Sequence, residues 1–259
     1  MRTRSILTAT ALAVLAGIAP VSAAQIKIFV GGAMTPPLRA VAATYAKTSG
    51  DTFDIVSDTT GSLQKRLRAG EKVDIIVVTS TAIDAMQKEK FIVEGSRIDL
   101  SRALIGVAIK SDSKFQADLS SPDAFKATVL KARSVAYVNP AAGGTSGTYF
   151  EGLVQKMGIA DQVKAKTVYR TQGSEVADSV AKGDAEIGIT FTGEMLPNKG
   201  VKVVGVLPAA IQLPTIYVAA VSSTSANAKA AEAFIRAMRT ADGSKAIKAG
   251  GMEPLNEIH

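Results

Sequence analysis

Polar and apolar positions alternate in two different periods along this chain. "QIKIFV" reads as a strand, and Leu38, Val41, Ala42 and Tyr45 then recur at helical spacing. "TFDIVSD" is a strand, "SLQKRLRAG" a short helix, "KVDIIVVTS" a buried strand, "TAIDAMQKEK" a helix and "ALIGVAIK" a further strand. The second half repeats the alternation. "SVAYV" precedes a helix whose Phe150, Leu153, Val154 and Met157 share one face. "AKTVYR", a helix from Ser174 to Lys182, "AEIGITF", "VKVVGVL" and "TIYVAAV" follow, and a last helix places Ala231, Phe234, Ile235 and Met238 together. Strands alternating with helices predict an α/β protein with mostly parallel sheets flanked by helices. There is no long Pro/Gly/Ser linker, so any division into lobes runs through strands. Extended segments near Leu104–Lys110 and Pro208–Thr215 are the candidate hinge crossings. They make lobe 1 of residues 25–105 plus 212–259 and lobe 2 of residues 106–211.

Residues 1–24 stand outside this pattern. Arg2 and Arg4 precede an apolar run from Ile6 to Ile18, and small residues surround Ala23 and Ala24. Those are the three parts of a secretory signal peptide, cleaved after Ala23 or Ala24, which directs the mature chain to the periplasm. The run is shorter than the roughly 20 residues a spanning helix needs. Removing Arg2 and Arg4 from the 30 Lys+Arg leaves 28 against 23 Asp+Glu, a mature net charge of +5. That mild excess favours encounter with small anions. It forms no basic run of the kind that binds nucleic acid, so no nucleic-acid partner is expected. Zero cysteines exclude disulfides and thiolate metal sites. The one histidine is His259, which excludes a histidine triad or a histidine metal cluster. No cofactor or metal is expected.

The chemistry lies where strands give way to helices. "VGGAMTPPL", "DTTGSLQKRL", "NPAAGGTSGTYFEGL" and "RTQGSEVADSV" are four short junctions containing glycine and, for the most part, hydroxyls or amides. A helix N-terminus carries unpaired N–H groups and partial positive charge. Glycine admits close approach of the backbone, and hydroxyls add neutral donors. Such junctions can hold an anion without lysine or arginine. Each is also explained by ordinary capping, with Ser62 and Ser174 as N-caps and Glu175 as a first-turn acid. A P-loop is excluded because "GGTSGTY" lacks its Gly-Lys-Ser/Thr ending, and no G-x-G-x-x-G follows the first strand.

"IKIFVGGAMTPPL", "TTGSLQKRLRAGEKVDIIVVTS", "SGTYFEGLVQKMGIADQVKAK" and "VAKGDAEIGITF" together resemble the periplasmic molybdate-binding protein family of ABC importers. The likeness covers nearly all of the mature chain. It implies a two-lobed periplasmic binding protein fold that closes by hinge motion on an oxyanion. It also implies delivery to a membrane permease, a monomer and no enzyme activity. Carried over residue by residue, the first-loop serine is Ala33 and the second-loop serine is Thr60. The third-loop backbone donor is Ser146, the fourth contact is Gly173, and the tyrosine of the following strand is Phe191. Two hydroxyl donors are therefore missing, at Ala33 and Phe191, and the third loop is longer. Both departures favour an organic di- or tricarboxylate over a molybdate-type oxyanion. Ser62, Thr145, Gly147 and Gln172 complete the expected cleft. Arg170 either pairs with a ligand carboxylate or is an exposed surface residue.

One enzymatic alternative remains. "SLQK" places Ser62 and Lys65 one turn apart, the S-x-x-K spacing of Ser–Lys hydrolases, although neither S-D-N nor K-T-G follows.

Overall fold

A computed structural model describes residues 23–255 and 257–258. The expected signal peptide, except for Ala23 and Ala24, lies outside the described residues, as does His259. No helix among the described residues is long and apolar enough to cross a membrane.

The first half builds β1 (Gln25–Gly31), α1 (Thr35–Ser49), β2 (Thr52–Asp58), α2 (Thr60–Arg68), β3 (Ile75–Thr79), α3 (Ser80–Lys88) and β4 (Ile98–Ala103). After β5 (Ile105–Lys110) come α4 (Pro122–Lys131), β6 (Val135–Val138), α5 (Thr145–Lys156), α6 (Ala160–Lys164) and β7 (Thr167–Arg170). Then follow α7 (Gly173–Lys182), β8 (Ile187–Phe191), α8 (Thr192–Met195) and β9 (Val201–Val206). The chain ends with β10 (Thr215–Val221), α9 (Ala228–Ala237), α10 (Ala241–Ala249) and β11 (Glu253–Pro254).

The strands form two sheets, ordered β11-β4-β10-β3-β1-β2 and β7-β6-β8-β5-β9. The pattern "ALIGVAIK" predicts one strand but yields the end of one and all of another. The break is at Leu104, between β4 in the first sheet and β5 in the second. Apolar patterning cannot mark this break, because both strands are buried on either side of it. The chain returns between Val206 and Thr215.

Each sheet is mixed rather than mostly parallel. β1 runs parallel to β2 and β3, and β6 runs parallel to β7 and β8. The strands beside the crossings run the other way: β10 is antiparallel to β3 and β4, and β5 is antiparallel to β8 and β9. A strand that enters from the opposite sheet arrives without a crossover helix, so nothing turns it parallel.

Buried apolar faces hold the layers together. Phe150, Leu153 and Val154 of α5 are buried, and the Phe150 ring meets Tyr137 edge-on at 4.9 Å. Tyr45, Phe53 and Phe234 form a second aromatic group, with Phe53 and Phe234 centroids 4.6 Å apart. Burying such a side chain contributes roughly 1.5–3 kcal/mol. The apolar pattern does not single out α4, α8 or α10; of these only α8, with 4 residues, is too short to show a stripe. Leucines on α2 and the valines of α7 pack their helices against strands, which fixes the opening turns of both helices at the sheet ends.

The two crossings are tied to each other by Gln212. Its Oε1 accepts the Ile105 N–H at 3.0 Å, and its Nε2 donates to the Ile105 carbonyl at 2.9 Å. One side chain thus completes the backbone pairing of the first crossing from within the second.

Candidate functional site

The four junctions meet between the sheets. Loop 1, which leads into α1, touches loop 2 through Thr35 and Ser57, whose hydroxyls lie 2.7 Å apart. Loop 2 reaches loop 3 on the other sheet, where the Gly61 N–H donates to the Gly143 carbonyl at 3.1 Å. Thr59 adds a hydrogen bond from its hydroxyl to the Ala142 carbonyl. Loop 4, at the start of α7, faces loop 1 across the Glu194 carboxylate. A methyl placed on Gly32 or on Gly173 would collide with that carboxylate.

Two cavities open on either side of the Gly61–Gly143 contact. One, of about 510 Å³, is lined by Thr60, Gly61, Thr79, Thr81, Thr145, Thr148 and Tyr149, among others, and by no charged side chain. Thr60, Thr79 and Thr145 stand at the openings of α2, α3 and α5, so three sets of helix-start donors face one space. The other, of about 370 Å³, is lined by Gly32, Thr35, Gln172, Gly173, Ser174 and Glu194, with Asp58 and Asp178 at its wall. Among the described residues, no lysine or arginine lines either cavity.

The sequence-predicted residues divide accordingly. Thr60 and Thr145 line the uncharged cavity, and Gln172 and Gly173 line the other. Ser146 is buried and its hydroxyl lies 3.1 Å from that of Thr190, which in turn donates to Glu194. Ala33 and Phe191 are buried beside these groups. The Ala33 carbonyl lies against Gly193, and the Phe191 ring meets Tyr217 edge-on at 6.0 Å.

Ser146, Ala33 and Phe191 line neither cavity, and three others do not either. Gly147 packs on the β6 backbone, where a methyl would strike the Val138 carbonyl. Ser62 donates to Asp58 at 2.6 Å, which leaves its hydroxyl committed to a carboxylate rather than to Lys65. Arg170, on the edge strand β7, is held by the Ser179 hydroxyl, the Tyr169 carbonyl and Asp184. The caps also differ from expectation. Thr59, not Ser62, caps α2 by accepting the Ser62 N–H at 3.2 Å, and Gln172 precedes α7 in place of Ser174. The extended residue just before each helix already faces the first turn, so it reaches the free N–H groups before the serine does.

Glu194 and Tyr217 were not singled out by sequence reasoning. Glu194 follows β8 within one turn, accepts hydrogen bonds from Thr190 and the Phe191 N–H, and is only partly exposed. Burial pushes its carboxyl up to about 7, against the opposing pull of those two donors. The Tyr217 hydroxyl is raised well above its ordinary range, first by burial and then by the nearby Glu194 charge. The available signal was "TFTGE", a fifth strand-to-helix junction with a carboxylate directly in it.

Residues 26–253 match the family described as bacterial extracellular solute-binding protein. The chain belongs to this family. Among relatives of the solute-binding protein, an aconitate isomerase of a Pseudomonas species is 29% identical over 252 residues, covering 94% of each chain. The molybdate-binding protein ModA of Haemophilus influenzae is 25% identical over 235 residues, covering 88% of this chain and 89% of that one. The fold is shared with the periplasmic molybdate-binding protein of Azotobacter vinelandii. That structure has a TM-score of 0.71 at 19% identity and covers 88% of this chain and 98% of its own. It is shared also with the sulfate-binding protein SubI of Mycobacterium tuberculosis, at a TM-score of 0.72 and 14% identity, covering 90% and 88%. The resemblance to molybdate-binding proteins read from the motifs therefore holds, and so does the two-lobed α/β architecture, its sheets being mixed rather than mostly parallel.

Proposed function

We propose that this solute-binding protein is the periplasmic receptor of an ABC importer, exported by its first 24 residues and working as a monomer. It captures a small organic di- or tricarboxylate between lobe 1 (25–105 with 212–259) and lobe 2 (106–211), and delivers it to a membrane permease. The observation that carries this reading is the meeting of four strand-to-helix junctions from two sheets around spaces without lysine or arginine. Hydroxyls and backbone N–H groups there can neutralise a carboxylate, and only closure brings both sets to the guest. An organic acid is favoured over molybdate because Ala33 and Phe191 offer no hydroxyl, and each unmade bond to a buried anion costs roughly 1–3 kcal/mol. The likeness over 94% of the chain to a protein named aconitate isomerase supports the same class.

A thermal-shift panel on refolded, ligand-free protein tests it. Citrate or aconitate should raise the melting temperature saturably, while molybdate, tungstate, sulfate and phosphate should not. Selective stabilisation by molybdate would overturn the organic-acid reading, and silence towards every anion would overturn the receptor.

One observation favours a second reading. Glu194 presents a carboxyl that titrates near neutrality to the crevice, as a general base must, and the relative just named is an isomerase. Proton NMR of cis-aconitate incubated with the protein decides this. Conversion that is lost in Glu194→Gln makes the chain an enzyme, and an unchanged spectrum leaves it a receptor.

A further inference from the structure

Three carboxylates of the described residues line the cavity between Gly32 and Gly173: Asp58, Asp178 and Glu194. Asp58 accepts from the Thr59 N–H and the Ser62 hydroxyl, which ties it to the start of α2. Asp178 accepts from Asn198 at 2.7 Å, on the surface of α7. The Glu194 carboxyl instead lies between Gly32 and Gly173, one from each sheet's loops, where both positions lack the side chain that would displace it. Its donors are the Thr190 hydroxyl and the Phe191 N–H, both from its own lobe. The groups facing it from the other lobe are Gly32 and Tyr217, so no cation from any packed element offsets its charge.

We infer that Glu194 contacts the solute and selects it, meeting an anionic guest only as the protonated acid, so that solute and proton bind together. The inference rests on the receptor reading above. An ionised Glu194 beside a bound carboxylate would set two like charges in a confined space with no cation between them, which raises the proton affinity of the pair. Protonated, the same group has an O–H to donate and becomes one more neutral donor in a site made of neutral donors. Inorganic dianions gain least from this arrangement. A tetrahedral dianion presents charged oxygens on every face, whereas a polycarboxylate can turn a carboxylate to the Glu194 hydroxyl and its carbon skeleton to the remaining wall. The ordinary value of a glutamic acid, near 4.3, would leave the group ionised at neutral pH. Its elevation to about 7 puts the proton within reach.

Calorimetric titration with citrate at pH 8, in buffers of different ionisation enthalpy, counts the protons taken up. At that pH citrate is fully ionised, so uptake reports on the protein. The expected result is close to one proton per citrate for the wild type and close to none for Glu194→Gln. Wild-type affinity should also fall about tenfold per pH unit between pH 7.5 and 9, and that of Glu194→Gln should stay flat. The wild-type count and pH slope stand on their own if the variant fails to fold. Citrate binding without proton uptake would overturn the inference while leaving the receptor intact. Failure of both citrate and aconitate to bind either protein would overturn the inference together with the organic-acid reading.

Discussion

The Gly61 amide donates to the Gly143 carbonyl at 3.1 Å, joining the opening turn of a helix on one sheet to a loop on the other. A Cβ on Gly61 would lie 2.8 Å from the Gly143 Cα, closer than such atoms pack. Both glycines are therefore required by proximity, and Gly143 additionally by its φ of 76°.

Gly61→Ala should spare the fold and impair closure. Alanine in the first turn of α2 improves helix propensity by up to about 1 kcal/mol, so thermal stability without ligand should hold or rise. The added methyl should keep the lobes apart, weakening citrate binding at least tenfold. Small-angle scattering should show the citrate-induced compaction of the wild type reduced or lost in the variant. Equal compaction would mean that this contact is incidental.

The pH dependence of stability should carry a Glu194 signature. Its folded-state value, about 7, lies above the ordinary value near 4.3 of an unfolded chain. The folded form thus binds more protons between those values. The associated stability is fully present below pH 4 and is lost as pH rises through 7. Because the carboxyl keeps some contact with the cavity, the loss should be about 2 kcal/mol. Urea denaturation at pH 5 and pH 8 should show the wild type losing more stability than Glu194→Gln by that amount. Glu71 acts with the opposite sign. Hydrogen bonds from Arg66 and Lys27 hold its carboxyl down at about 2, so its contribution is present above the ordinary carboxylate range and lost in strong acid. It cancels in the comparison of the two proteins.

Gly173 and Glu194 should be energetically coupled. Gly173→Ala drives a methyl into the Glu194 carboxylate and should destabilise by roughly 1–3 kcal/mol, as overpacking does. Glu194→Ala removes the obstacle. In the double variant most of that cost should disappear, giving a coupling of at least ~1 kcal/mol in a denaturation cycle. Strict additivity would contradict the placement of the carboxylate.

Gln212→Ala should loosen the paired crossings. It strips the Gln212 partner from the Ile105 N–H and leaves the Ile105 carbonyl with the Leu207 N–H, at the point where the chain changes sheets. A cost of roughly 1–3 kcal/mol follows from the backbone N–H that loses this partner. Hydrogen exchange at Ile105 and Leu207 should accelerate ahead of exchange at the buried strands β3 and β8.

Much of this was legible in the chain. The periods of "QIKIFV" and of Phe150, Leu153, Val154 and Met157 fixed strand and helix, because a buried face has to repeat with its element. Thr60, Thr145 and Gly173 were picked out because helix starts advertise themselves with hydroxyls and glycine, and each lines one of the two cavities. Strand direction was not legible, since Ile105–Lys110 is apolar whichever way it runs. Nor was the break at Leu104, which apolar patterning spans. Arg170 looked available because sequence shows which residue adjoins a loop but not that Ser179 and Asp184 wait beside it. Glu194 was missed for a related reason. A carboxylate next to a junction reads as an ordinary first-turn acid until the fold brings Gly32 to its other side.

The most direct measurement is a citrate titration of the wild type and of Thr35→Val, Ser174→Val and Arg170→Ala, the first two variants lying at residues that line the Glu194 cavity from opposite lobes, followed by calorimetry. If uncharged donors from both lobes hold the guest, each valine should weaken binding about tenfold, near 1.4 kcal/mol for one lost hydrogen bond. Arg170→Ala should bind as the wild type does. Full affinity in both valine variants, with binding abolished in Arg170→Ala, would contradict the account.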